Sequence, residues 1–63
     1  MCYRDVVKVL RKNGWVLTRT VGSHCQFQHT SSGRMVTVPK HKNADIPKGT
    51  LHAIEKSTGL HLL

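Results

Sequence analysis

The chain predicts an α+β fold of order α-β-β-β-α, with a three-stranded antiparallel sheet and both helices on one face. Three observations carry that expectation. The N-terminal stretch has apolar residues at helical spacing, the middle holds three β-rich runs joined by short turns, and the C-terminal stretch is opened by a proline and closed by a glycine.

The first helix is expected from Tyr3 or Arg4 to about Asn13. Tyr3, Val6, Val7 and Leu10 fall at i, i+3, i+4 and i+7, while Arg4, Lys8, Arg11 and Lys12 lie mostly off that stripe. Gly14 suits a helix stop, and the basic residues before it suit the negative end of the helix dipole. The run WVLTRTV, residues 15–21, is rich in β-branched and aromatic types and makes the first strand. Gly22 and Ser23 turn the chain into a second strand, HCQFQHT, residues 24–30. The cluster Thr30-Ser31-Ser32-Gly33 leads to a third, RMVTVP, residues 34–39. Short connections imply an antiparallel meander. Alternation along the second strand sends His24, Gln26 and Gln28 to one face and Cys25, Phe27 and His29 to the other. Phe27 is the obvious core anchor, so His24 should face away from the core. The polar stretch KHKNAD reads as a loop. Pro47 opens the second helix, whose buried stripe is Leu51, Ile54 and Ala53, and Gly59 ends it; the apolar tail 60–63 packs back on the domain.

A chain of 63 residues is expected to form one domain, 1–63, with a small core. Its two cysteines are expected as free thiols, Cys2 at a frayed N-terminus and Cys25 in a strand, which fits a reducing cytoplasm; an intramolecular disulfide is the alternative. The charged N-terminus lacks the apolar region of a signal peptide, and no apolar run approaches the roughly 18 residues of a membrane span. The expectation is a soluble cytoplasmic protein with no membrane association. Ten Lys and Arg oppose three Asp and Glu, a net charge of +7 that favours a polyanionic partner, nucleic acid or an acidic protein.

Several chemistries lack their residues. Hard cations need clustered carboxylates, and Asp5, Asp45 and Glu55 are scattered over three segments. Zinc lacks a Cys-x-x-Cys pair, neither glycine-rich nucleotide motif occurs, and a core-facing Cys25 is a poor nucleophile. No metal and no cofactor are expected. Metal-free RNA cleavage remains, because RNA carries its own nucleophile in the 2′-hydroxyl. A histidine can move the protons, and cationic side chains can stabilise the phosphorane. His24 is the candidate acid or base. Ser23 could orient the phosphate, and Arg19, Lys40 and Lys48 are candidate phosphate contacts; His41, in a basic loop, fits a solvated residue, with RNA contact as the alternative. DNA, without the 2′-hydroxyl, would resist. Trp15 fits core packing better than base stacking, Ser23 fits a turn residue better than a nucleophile, and His29, His52 and His61 fit structural or solvated roles.

The ordered set Gly14-Trp15, Arg19, Gly22-Ser23-His24 with Phe27 three residues on, Val36-Thr37-Val38-Pro39, Ile46-Pro47-Lys48-Gly49-Thr50-Leu51, Ile54 and Gly59 spans nearly the whole chain. In these residues the chain resembles the HicA (YcfA-like) family of toxin mRNA interferases of bacterial type II toxin–antitoxin pairs. The resemblance implies a double-stranded-RNA-binding-domain-like fold, metal-independent endoribonuclease activity on mRNA with His24 catalytic, and neutralisation by a HicB-like antitoxin in a heteromeric complex. Two other functions compete with that expectation. A non-catalytic double-stranded-RNA-binding module would carry a lysine cluster at the start of its second helix, where Pro47-Lys48-Gly49-Thr50 supplies one lysine. An interaction protein would use its charge only to dock an acidic partner.

Overall fold

The computed structural model describes residues 1–40 and 44–63. Its elements are α1 (Tyr3–Lys12), β1 (Trp15–Val21), β2 (His24–His29), β3 (Met35–Pro39) and α2 (Lys48–Thr58). The expected α-β-β-β-α order and the antiparallel sheet of order β1-β2-β3 are both present. The expected loop at 40–45 falls partly on 41–43, and the reading of His41 with it, outside the described residues.

β2 is the middle strand, so its inner face decides the core. Cys25 and Phe27 lie there beside Trp15 of β1 and Val36 and Val38 of β3. From α1 come Val6, Val7 and Leu10, and from α2 Leu51 and Ile54, all joined in one buried cluster. α1 packs on β1 and α2 on β3, which places both helices on the same side. Phe27, Val6, Leu10 and Val38 are fully buried, at 0% exposure. Ala53, expected in the buried stripe, is exposed, because it borders an open cleft between α2 and β3, across from Met35 and Thr37.

The N-terminus is tied down rather than frayed. The Met1 carbonyl accepts a hydrogen bond from Ile46 N at 2.9 Å, and Cys2 bridges to Asp45. Cys2 also caps α1. The Asp5 carboxylate accepts from the Cys2 backbone N–H at 3.1 Å and from its thiol at 3.3 Å, and those bonds hold Asp5 below the usual carboxylate range. Both cysteines are free thiols, and Cys25 is buried.

Other boundaries differ by a residue from the expected ones, each for a local reason. Asn13 and Gly14 (φ +85°) close α1, with Asn13 Nδ2 donating to Val9 O at 2.8 Å. Thr30 and Arg34 leave the strands to the β2–β3 turn, where Gly33 takes φ +75° and His29 N donates to Arg34 O. Pro47 is the N-cap of α2 instead of its first residue, because its ψ of 147° is extended. The tail packs back as expected. Leu62 is buried, and its N–H and that of Leu63 donate to Glu55 Oε2 at 2.7 and 3.2 Å.

Two predictions follow from this packing. Phe27→Ala should cost about 3–5 kcal/mol, a large share of the stability of so small a chain, and urea unfolding followed by circular dichroism will measure it. The backbone bonds from Leu62 and then Leu63 hold Glu55 below its ordinary pKa. The anchor is therefore complete above the unfolded glutamate value near about 4.3 and is lost as pH falls through the lower folded value. Amide exchange at Leu62 and Leu63 should accelerate in that acid window, and at neutral pH in Glu55→Ala.

Candidate active site

The β1–β2 hairpin turns on two residues, Gly22 and Ser23, with Gly22 at φ +58°, a conformation a side chain would strain. Val21 and His24 close it as a cross-strand pair, and His24 also stands opposite Pro39 of β3. A third contact fixes the tip: Lys40 N donates to Ser23 O at 2.6 Å. His24 thus begins the central strand with a strand on each side. Phe27 turns inward three residues later, so His24 emerges on the opposite, helix-free face with Gln26 and Gln28. The residue is exposed, and among the described residues its imidazole has no hydrogen-bond partner. Both ring nitrogens are open to a substrate.

Arg19 reaches that face through an irregularity absent from simple alternation. Leu17 pairs with Phe27, and the next pair on β1 is Arg19 with Gln26, which leaves Thr18 as an extra residue in a bulge. The Thr18 hydroxyl donates to Gln26 O at 3.2 Å across the gap. Strict alternation from the buried Trp15 would turn Arg19 toward the core. The bulge brings it out beside Gln26, on the face of His24 and two pairs along the ladder, a diagonal separation of roughly 7–8 Å. Gln26, level with Arg19 on the middle strand, is a polar neighbour the motif reading did not single out; its place on the face was legible from alternation.

The other proposed contacts lie elsewhere. Ser23 is exposed at the hairpin tip, its carbonyl engaged by Lys40. Lys40 follows Pro39 and turns to the helix side, with Nζ 5.7 Å from the centre of the Tyr3 ring, so its ammonium is not on the His24 face. Lys48 opens α2 and is exposed; its side chain forms no hydrogen bond or ion pair to the hairpin among the described residues. Among the same residues, no three His, Cys, Asp or Glu side chains come together as a metal site.

Among the other described histidines, His29 has structural surroundings, as does Cys25. Trp15 is buried and meets the His29 ring edge-on, centroids 5.2 Å apart at 72°. His29 Nδ1 accepts from the N–H groups of Ser31 and Ser32, both at 3.2 Å, which assigns the proton to Nε2, 2.9 Å from Asn13 O. Gly14 leaves room for that ring: a Cβ there would come within 3.2 Å of Nε2. His52 pairs with Glu55 at 3.2 Å, and His61 is exposed. Cys25 is sealed beneath His24 next to Tyr3, whose hydroxyl is pushed up to about 12 by burial first and by the Cys25 thiol second.

Fold and site together define a class, a small basic α+β protein that offers an open histidine on the bare face of its sheet. The family profile described as HicA toxin of bacterial toxin-antitoxin matches residues 3–60, and the chain belongs to that family. Membership makes it a toxin of a toxin–antitoxin system and implies an antitoxin as partner. A comparison with curated proteins finds no match. No helix among the described residues is long and apolar enough to cross a membrane.

The two strand-end histidines should separate cleanly in a stability assay. His24→Ala should stay within about 0.5 kcal/mol of the parent, as exposed positions do. His29→Ala should lose about 1–3 kcal/mol, because it removes three hydrogen bonds and the edge contact with Trp15. Thermal unfolding of the two variants checks both.

Proposed function

We propose that this toxin is a metal-independent endoribonuclease acting on mRNA in the cytoplasm, with the chain 1–63 as one toxin domain and His24 as its proton-transfer group. The observation that carries the proposal is the setting of His24: exposed, unfastened, held at the closed end of a hairpin on the helix-free face, with Arg19 diagonal to it on the same face. The net charge of +7 suits a polyanionic substrate.

In the proposed step, the imidazole removes the proton of a ribose 2′-hydroxyl as its oxygen attacks the adjacent phosphorus. The bond from phosphorus to the 5′-oxygen breaks, and that oxygen takes a proton from the imidazolium or from water. The products are a 2′,3′-cyclic phosphate and a 5′-hydroxyl. Arg19 is placed to stabilise the charge that builds on the phosphoryl oxygens. Ser23 and Lys48 are weaker candidates for binding the same strand, Ser23 at the hairpin tip and Lys48 at the start of α2. The family's antitoxin, proposed to be HicB-like, would silence the enzyme by covering the His24 face.

Incubation of wild type and His24→Ala with RNA in EDTA tests this. Wild type should cleave, the variant should lose about 10²–10⁴-fold with its fold intact, and a 2′-deoxy substitution at the scissile position should block cleavage. Equal RNA binding without cleavage by either protein would instead identify a non-catalytic RNA-binding module.

A further inference from the structure

We propose that an open depression on the helix side of the hairpin end, lined by Tyr3, Arg4, Lys8, Arg11 and Lys40, holds backbone phosphates of the RNA that flank the bond at His24. The inference rests on the reading of RNA as substrate and extends it to a second surface. The depression has a volume of about 360 Å³, and Val7 completes its lining. Arg4, Lys8 and Arg11 stand at i, i+4 and i+7, one exposed stripe running about 10 Å along α1 at 1.5 Å per residue. Lys40 joins them from the end of β3.

Four features favour phosphates over bases or neutral groups. The lining contains four cationic side chains and no carboxylate. Among the described residues no Lys or Arg side chain lies within 4.0 Å of a carboxylate, so none of these charges is tied up in an ion pair. The nearby Asp5 carboxylate is engaged by Cys2. The aromatic surface is not free for stacking either, since the Lys40 ammonium lies over the Tyr3 ring. What the depression offers is charge without base readout, the character of a backbone contact.

Continuity with the site selects RNA as the occupant. Lys40 N bonds to Ser23 O, and Cys25, the residue after His24, lies against Tyr3. The hairpin end of the sheet therefore separates the two surfaces by its own thickness. A strand with one phosphodiester at His24 meets the cationic stripe as it passes around that end.

The test uses the full chain carrying His24→Ala, so that RNA stays whole, with a fluorescently labelled single-stranded RNA of mixed sequence titrated across a salt series. Adding Arg4→Gln, Lys8→Gln and Arg11→Gln should weaken binding at least tenfold at low salt. It should also reduce the slope of log affinity against log salt by about 2, from about 0.7 per lost phosphate contact. A control with the same charge loss, Lys12→Gln, Arg34→Gln and Lys56→Gln, should keep the slope, and circular dichroism verifies that both variants fold. Equal losses in the two variants would overturn the site in favour of diffuse charge. Unchanged RNA binding with lost binding to the antitoxin would reassign the depression to a protein partner. Either failure leaves cleavage by wild type untouched. Conversely, the slope loss without wild-type cleavage would keep the groove and remove the enzyme.

Discussion

Burial of Phe27 in the middle of the central strand is the constraint on which the rest depends. Side chains alternate along a strand, so committing Phe27 to the core commits Cys25 with it and sends His24 and Gln26 to the opposite face. A slip of one residue would invert every position, exposing Phe27 and burying an imidazole. Both penalties act on the same register. The apolar stripes of α1 and α2 converge on this strand and its neighbour, so the packing that makes the chain fold also presents the histidine.

The bulge at Thr18 shows how a local departure from regularity adjusts a site. One extra residue on β1 turns Arg19 from the core side to the outer side, and the Thr18 hydroxyl occupies a carbonyl at the disturbed point. The histidines divide in a related way. His29 has every ring nitrogen engaged and a tryptophan against its edge, so it is part of the framework. His24 has neither, and that freedom suits proton transfer.

The sheet thus separates two kinds of surface. The outer face carries a single histidine and an arginine among uncharged side chains, with Val16, Val21 and Met35 about half exposed. The helix side of the same end carries a row of cations around Tyr3. Lys40 is the hinge between them: its backbone fastens the hairpin tip while its side chain reaches the other side.

The elements, the direction of Phe27 and the exposure of His24 were legible in the amino-acid sequence because each depends on short-range periodicity and turn chemistry. Val6, Val7 and Leu10 repeat at helical spacing, and Gly14, Gly22, Gly33 and Gly59 mark turns where φ is positive. The anchoring of Cys2, the outward turn of Arg19, the diversion of Lys40 to Tyr3 and the capture of the tail by Glu55 were decided only by the tertiary structure. Each joins segments that meet only once the sheet and helices have packed, or depends on a strand register that pairing alone sets. Periodicity within one segment carries no information about either.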